Sequence, residues 1–137
     1  MEMLRVIADT DNLDDVLGFI DGLLEKAGCP MKIQMTMDIA VEEMYVNIAH
    51  YAYNGEKGEA QVSAEYNEDT KEFTVELRDS GIPFDPLAKP DPDVKLPAEE
   101  RRIGGLGIYM VKKSMDRVAY RREDGQNIFT MVKKLVE

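Results

Sequence analysis

The segment that decides the fold has the sequence VEEMYVNIA and covers residues 41–49. Its apolar residues recur at helical spacing, and Glu43 and Asn47 stand four residues apart, so a carboxylate and an amide share one face of a helix. The pattern continues on both sides and predicts a helix over residues 32–53. The predicted buried face consists of Met37, Val41, Met44 and Ile48.

Upstream of this helix, the sequence predicts a strand and a second amphipathic helix. Residues 3–8 alternate weakly between apolar and polar types, which is typical of a short strand. Polar residues at 9–12 suit a helix start, and apolar residues then recur at helical spacing over 13–24. Gly28 and Pro30 end the helix, because glycine adopts the left-handed cap and proline prevents continuation.

Downstream, the apolar period changes from that of a helix to that of a strand. Residues 59–66 and 73–77 alternate with a period of two and predict a hairpin. Residues 118–122 and 127–134 predict a second hairpin, which turns at the sequence EDGQ.

A proline-rich connection separates the two hairpins. From Ile82 to Arg102 the chain carries five prolines among many charged residues, so neither a regular helix nor a central strand is expected over most of it. A loop of about twenty residues in so small a domain is usually a lid or a disordered segment. A helix is predicted directly after it, over residues 106–115.

These elements predict one α+β domain of 137 residues, with helices on one face of a mixed, mostly antiparallel sheet. The only cysteine, Cys29, excludes a disulfide within the chain and indicates a reducing compartment. The first residues lack the pattern of a secretion signal, and no stretch approaches the roughly 18 apolar residues of a membrane span. We therefore expect a cytoplasmic protein without a membrane partner.

The formal net charge of −10 argues against direct nucleic-acid binding. Contact with phosphates requires lysine and arginine clustered on one surface. A basic protein or a small molecule is a better expectation for the partner, although acidity also serves solubility alone.

Two polar clusters have the residue types that a nucleoside triphosphate site needs. Asn47 offers a neutral amide oxygen of the kind that magnesium accepts, and Glu43 could take a proton from a hydroxyl group or water. Asp79 follows a strand and could accept from an adenine amino group, while Gly81 would let the base approach the backbone. The alternative is that these are solvent-facing helix residues and an ordinary turn.

Further candidates lie in the second half of the chain. The sequence GGLG at 104–107 opens a helix, where free amides and the helix dipole favour phosphate, although it could also be a flexible helix entry. Arg101 and Arg102 could reach a terminal phosphate. The Thr130 hydroxyl could assist base recognition or simply suit a strand. His50, the only histidine, cannot form a metal cluster and is expected to be packed or hydrogen-bonded.

Together these residues resemble the anti-sigma-factor serine/threonine kinases, the single-domain branch of the GHKL ATPases. Glu43 to Asn47 resembles the N box of that family, the sequence DSGIPFDP at 79–86 resembles its first glycine box, and residues 104–107 resemble the second. The match covers nearly all of 1–137, and the first glycine box is its most specific part. The resemblance implies a histidine-kinase-like ATPase domain with the Bergerat-type fold, a two-layer α/β sandwich.

The same resemblance implies roles for individual residues. Asn47 would bind Mg²⁺, Glu43 would be the catalytic base, Asp79 would hold adenine and residues 87–103 would form the ATP lid. The residues implied in ATP binding are Asn47, Asp79, Gly81, Gly104, Gly105, Leu106, Gly107 and Thr130. Tyr51 departs from the family pattern, since relatives often have a histidine there. This difference affects partner contacts rather than metal binding.

The leading hypothesis, which depends on the resemblance, is an ATP-dependent kinase that sequesters a sigma factor. It would phosphorylate a serine or threonine of a STAS-domain anti-sigma-factor antagonist, and relatives commonly form homodimers. One alternative is a non-catalytic module that uses nucleotide only to set its affinity for a partner. Another is an α+β interaction domain without nucleotide, which predicts no magnesium-dependent stabilisation by ATP.

Overall fold

The computed structural model describes residues 1–88 and 105–136. Within them, three α-helices pack against one face of a five-stranded sheet. The elements are β1 Glu2–Ile7, α1 Leu13–Lys26, α2 Met31–Asn47, β2 Glu59–Asn67, β3 Glu72–Asp79, α3 Gly105–Ser114, β4 Arg117–Glu123 and β5 Gln126–Lys134. A 3₁₀ turn, Thr10–Asn12, precedes α1, and a π-helical turn, Ile48–Ala52, extends α2. None of the described helices has the length and hydrophobicity to cross a bilayer.

The sheet has the strand order β1-β2-β3-β5-β4, and all four pairings are antiparallel. Both predicted hairpins are confirmed. The turn between β4 and β5 has positive φ at Asp124 (52°) and Gly125 (76°), as a two-residue type I′ turn requires. The expected α+β sheet with mostly antiparallel strands is confirmed, and the described strands contain only antiparallel pairs; α1 and α2 connect β1 to its antiparallel neighbour β2.

The core lies between the helices and the sheet face that they cover. The predicted α2 stripe is confirmed, since all four of its apolar residues are buried. Val16, Ile20 and Leu24 form the buried face of α1. Tyr45 is also fully buried, and its hydroxyl donates to the Asp9 carbonyl at 2.7 Å, which satisfies a polar group inside the core.

The end of α2 differs from its prediction. The sequence predicts a continuous helix to residue 53, whereas the α-helical pattern stops at Asn47 and one π-helical turn follows. Such turns persist where surrounding contacts hold them. Here the Ala52 carbonyl accepts the N–H of Ile82 at 2.9 Å. That contact joins segments thirty residues apart, so helical periodicity could not reveal it.

Candidate functional site

A cleft of about 550 Å³, including its open mouth, lies where α2 and its π-helical turn meet β3, β4 and β5. Asn47 at the end of α2 and Asp79 at the end of β3 both line it. The rest of the lining is largely apolar and consists of Met44, Ile48, Tyr51, Ala52, Leu77, Ile82, Phe84, Pro86, Tyr120, Asn127 and Phe129. An apolar cleft with a few fixed polar groups suits a flat aromatic ligand such as a nucleobase.

Asp79 is the polar group on the β3 side of the cleft, and it is only 6% exposed. Its Oδ1 accepts two hydrogen bonds of 2.9 Å, from the N–H of Gly81 and from Nδ2 of Asn127. No donor within residues 1–88 and 105–136 binds Oδ2. As far as these residues are concerned, that oxygen is available to accept from an amino group of a ligand.

Gly81 is needed for close packing against the π-helical turn. A Cβ at this position would lie 2.1 Å from the Ala52 carbonyl oxygen. The sequence suggested that Gly81 lets a base approach the backbone, but in the structure the close neighbour is the protein itself. The glycine thus brings the chain after β3 onto the end of α2, next to the cleft.

Tyr53, directly after the π-helical turn, binds the chain that follows β3, and the sequence did not indicate this role. Its hydroxyl accepts the N–H of Ser80 at 2.8 Å and donates to the Glu59 carbonyl. Burial raises the pKa of Tyr53 above its usual value, so this donor stays protonated at neutral pH.

Glu43 and Asn47 interact directly on one face of α2, as their spacing predicts. Nδ2 of Asn47 donates to the Glu43 carbonyl at 2.8 Å and to Glu43 Oε1 at 3.2 Å. These two bonds orient the amide, and no hydrogen bond to its Oδ1 is present among the described residues. Within the described part of the chain, the oxygen that would bind a hard cation therefore has no protein donor, and Asn47 lines the cleft.

The first turn of α3 lies against Glu43. A Cβ on Gly107 would be 2.0 Å from Glu43 Oε1, so only glycine fits this contact without displacing the carboxylate. Gly105 is the first residue of α3. The backbone of Leu106 continues the helix. The helix start and the Glu43–Asn47 pair are thus adjacent.

Some predicted site residues lie outside the described part of the chain. These are Gly104, Arg101, Arg102 and residues 89–103 of the predicted lid. Only the first two lid residues, 87 and 88, are described.

Thr130 does not reach the cleft in the structure. It pairs with Glu76 and Ala119, and its side chain points to the sheet face opposite Asn127 and Phe129, which line the cleft. Asn127 takes the polar position expected of the last strand: it lies opposite Asp79 in the β3–β5 register and is 7% exposed. The sequence signal for Asn127 was a polar residue at a position of the strand pattern that is expected to be buried, and the prediction overlooked it.

His50, for which a packed or hydrogen-bonded role was expected, is exposed. Its ring makes an edge contact with Tyr51, with 5.9 Å between centroids. Tyr51 itself lines the cleft and is 54% exposed. The residue that departs from the family pattern therefore stands at the mouth of the site.

The chain is similar to several known protein kinases. The serine-protein kinase RsbW of Listeria monocytogenes is 28% identical over 113 residues, which cover 80% of this chain and 71% of that protein. The serine/threonine-protein kinase BtrW of Bordetella bronchiseptica is 20% identical over 130 residues, with 95% and 91% of the two chains covered.

Solved structures show the same fold. The crystal structure of the RsbU and RsbW domains of Rv1364c from Mycobacterium tuberculosis superposes with a TM-score of 0.66 at 16% identity, over 98% of this chain. This chain spans 33% of that larger one. The blue-light activated histidine kinase EL346 of Erythrobacter litoralis gives a TM-score of 0.57 at 14% identity, over 78% of this chain and 32% of that one.

The family comparison covers the whole cleft. A model of the histidine kinase-like ATPase domain matches residues 6–133, a range that includes every described residue of the site. The antiparallel sheet, the Glu43–Asn47 pair on α2 and Asp79 at the end of β3 all lie within the match. The chain therefore belongs to the histidine kinase-like ATPase domain family.

Proposed function

We propose that the chain is an ATP-dependent serine/threonine protein kinase that also acts as an anti-sigma factor. The observation that carries this proposal is that Asp79 and Asn47 line one apolar cleft, while Glu43 contacts both Asn47 and the start of α3. The names of the related proteins, serine-protein kinase RsbW and serine/threonine-protein kinase BtrW, support the reaction type.

The cleft accounts for nucleotide recognition. The adenine ring lies among the apolar side chains, and its amino group donates to Oδ2 of Asp79. The phosphates extend past Asn47 toward the start of α3, where free backbone amides and the helix dipole favour negative charge.

Asn47 suits a Mg²⁺ ion that is bound together with the nucleotide. Its Oδ1 is a hard oxygen ligand held in place by the two bonds from Nδ2 to Glu43. In the described segments, no group of three or more His, Cys, Asp or Glu side chains is placed to hold a metal ion. Asn47 would therefore share the ion with phosphate oxygens and water. When bound, magnesium neutralises charge on the phosphates.

Glu43 is the general base in this proposal. It accepts the proton of the substrate hydroxyl, while the hydroxyl oxygen forms a bond to the terminal phosphorus and the bond from that phosphorus to ADP breaks. The hydrogen bond from Asn47 to Oε1 and the contact with Gly107 hold the carboxylate at the phosphate end of the cleft.

The partners belong to the same proposal. They are a sigma factor, which the protein sequesters, and a STAS-domain antagonist, which it phosphorylates. The similarity to RsbW, a serine-protein kinase, supports a protein substrate, and the family resemblance of the sequence motifs implies these two partners. A cytoplasmic location and a homodimer fit such partners, and the acidic chain needs neither nucleic acid nor a membrane for this role.

The proposal is tested by transfer of labelled phosphate from ATP to purified STAS-domain proteins of the same genome. Glu43→Gln should keep ATP affinity and lower the transfer rate by about 10²-fold or more, because the base is lost and the shape is kept. Glu42→Gln is the matched control, since the neighbouring Glu42 is exposed outside the cleft, and it should transfer at the wild-type rate.

Each remaining outcome identifies a different error. Wild-type transfer by Glu43→Gln would show that another group is the base. ATP binding without transfer to any STAS-domain protein would favour the non-catalytic nucleotide switch. No ATP binding at all would leave an interaction domain without nucleotide.

A further inference from the structure

Asn127 is the centre of a buried hydrogen-bond network beside Asp79. Its Nδ2 donates to Asp79 Oδ1 at 2.9 Å and to the Ile82 carbonyl at 2.8 Å. Its Oδ1 accepts the N–H of Phe84 at 3.2 Å and the hydroxyl of Tyr120 at 2.6 Å. One side chain therefore contacts the acidic residue of the cleft, the chain that follows it and the neighbouring strand β4.

The backbone partners determine which way this amide points. The N–H of Phe84 can only donate, so it must face the oxygen of Asn127. The carbonyl of Ile82 can only accept, so it must face the nitrogen. A flipped amide would place donor against donor and acceptor against acceptor in a site where Asn127 is 7% exposed. Nδ2 is therefore held toward Asp79.

This orientation decides which carboxylate oxygen Asp79 presents to the cleft. Asn127 and the Gly81 N–H both donate to Oδ1, which restricts rotation of the carboxylate and leaves Oδ2 without a donor from the described residues. Tyr120 acts on Asp79 through Asn127. Its hydroxyl donates to Oδ1 of Asn127, which polarises the amide and strengthens the hydrogen bond from Nδ2 to Asp79.

We propose that Tyr120 and Asn127 are positioning residues that aim Asp79 Oδ2 at the amino group of adenine and thereby set base specificity. The inference rests on the proposed ATP binding and adds to it the residues that select the base. The competing explanation is that Asn127 only fastens the chain at Ile82 and Phe84, in which case it would support every nucleotide equally.

The test compares two ligands that differ by that amino group alone. Dissociation constants are measured by calorimetry for magnesium-ATP and for the magnesium complex of purine riboside triphosphate, which lacks the amino group. Because a hydrogen bond to a charged group is strong, the wild type should prefer ATP by roughly tenfold or more. Tyr120→Phe should reduce this preference several-fold, and Asn127→Ala should reduce it to about twofold or less.

A control variant removes a tyrosine hydroxyl that does not line the cleft. Tyr66→Phe deletes a hydroxyl of β2, outside the cleft, and should keep the wild-type preference. Tyr120→Phe retains all the carbon atoms of the ring, so it provides the result even where Asn127→Ala fails to fold.

The outcomes separate this inference from the function on which it rests. If the variants lose affinity for both ligands by the same factor, the preference is unchanged and the positioning role is wrong, while ATP binding stands. If the wild type prefers neither ligand, Asp79 does not read the amino group and the inference also fails. If the wild type binds neither ligand, both the inference and the proposed function are overturned.

Discussion

At the scale of single residues, two carboxyl groups face each other between helices. Asp21 of α1 and Asp38 of α2 each have a buried Oδ1 to which no group of the described residues donates. A hydrogen bond between the two carboxyl groups therefore requires a proton on one of them. Burial, the hydrogen bond with Asp21 and the charges of Asp21 and Glu42 raise the pKa of Asp38 to about 7. The pair therefore retains a proton at a pH where ordinary carboxyl groups have lost theirs.

This pair makes stability depend on pH in a defined direction. The folded-state pKa of Asp38, about 7, lies above its ordinary value of 3.8, so the folded state binds more protons than the unfolded state between those values. The free energy of unfolding should thus fall as the pH rises from 3.8 to about 7 and change little above it.

The variant Asp38→Asn isolates this contribution, because its amide donates to Asp21 without titrating. From pH 5 to pH 8, the wild type should lose about 1–2 kcal/mol more than Asp38→Asn, a value reduced to allow for partial exposure of the pair. Urea unfolding at each pH measures the difference. Asp69→Asn, in the exposed turn after β2, is the control and should follow the wild type. Parallel curves for wild type and Asp38→Asn would exclude the shared proton.

At the scale of elements, two glycines allow other segments to pack closely against α2 and the π-helical turn that extends it. The nearest atom is a backbone atom for one glycine and a side-chain atom for the other. A Cβ on Gly81 would meet the backbone oxygen of Ala52 at 2.1 Å. A Cβ on Gly107 would meet the end of the Glu43 side chain at 2.0 Å. Backbone in a packed core moves with difficulty, whereas a glutamate side chain rotates readily. Substitution by alanine should therefore have different consequences at the two positions: a loss of stability at Gly81 and a loss of activity at Gly107.

Gly81→Ala should destabilise the fold. The new methyl group must push the chain after β3 away from the π-helical turn, and overpacking of this kind typically costs about 1–3 kcal/mol. Urea unfolding measures the loss. An unchanged free energy of unfolding would show that the turn adapts to the methyl group without strain.

Gly107→Ala should lower phosphate transfer while keeping the fold. The methyl group displaces the Glu43 carboxylate from Asn47, but alanine favours the helix, so the free energy of unfolding should stay within about 1 kcal/mol of the wild type. The transfer rate from labelled ATP should fall at least tenfold, because a misplaced base is inefficient. A wild-type rate would show that the position of Glu43 is not set by α3.

At the scale of the whole molecule, the fold gathers distant segments beside the inner strands β3 and β5. The end of α2, the end of β3 and the start of β5 meet there, although they span residues 47–127 of the sequence. Because the strand order is β1-β2-β3-β5-β4, the last strand inserts next to β3 and places Asn127 opposite Asp79. A ligand in this cleft contacts both layers of the domain and should stabilise all of it.

Magnesium-ATP should accordingly raise the melting temperature of the whole domain. Ligand at a hundred times its dissociation constant adds about 2.7 kcal/mol to the folded state. For a domain of this size that is on the order of several degrees. The rise in melting temperature should require magnesium. In Asn47→Ala, most of the rise should be lost, and the remainder should no longer depend on magnesium. No shift at millimolar ATP, with or without magnesium, would contradict nucleotide binding.

Much of this molecule could be predicted from local patterns. The strands, both hairpins, the buried stripe of α2 and the pairing of Glu43 with Asn47 follow from periods of two or 3.6 residues and from turn residues, all of which depend on near neighbours. The π-helical turn, the contacts of Asn127 and Tyr53 and the position of Thr130 outside the cleft did not follow from such patterns. Each depends on contacts between segments far apart in the sequence.

By itself, the sequence determined the α+β class, the order of the elements and the identity of the polar groups, because these depend on local hydrophobic period and side-chain chemistry. The tertiary structure alone decided that the sheet is wholly antiparallel, that Asn127 rather than Thr130 reaches the cleft, and that Gly81 contacts Ala52. The physical reason is register: strand pairing determines which side chain of a distant segment lies opposite Asp79, and a shift of one residue would turn it to the other face.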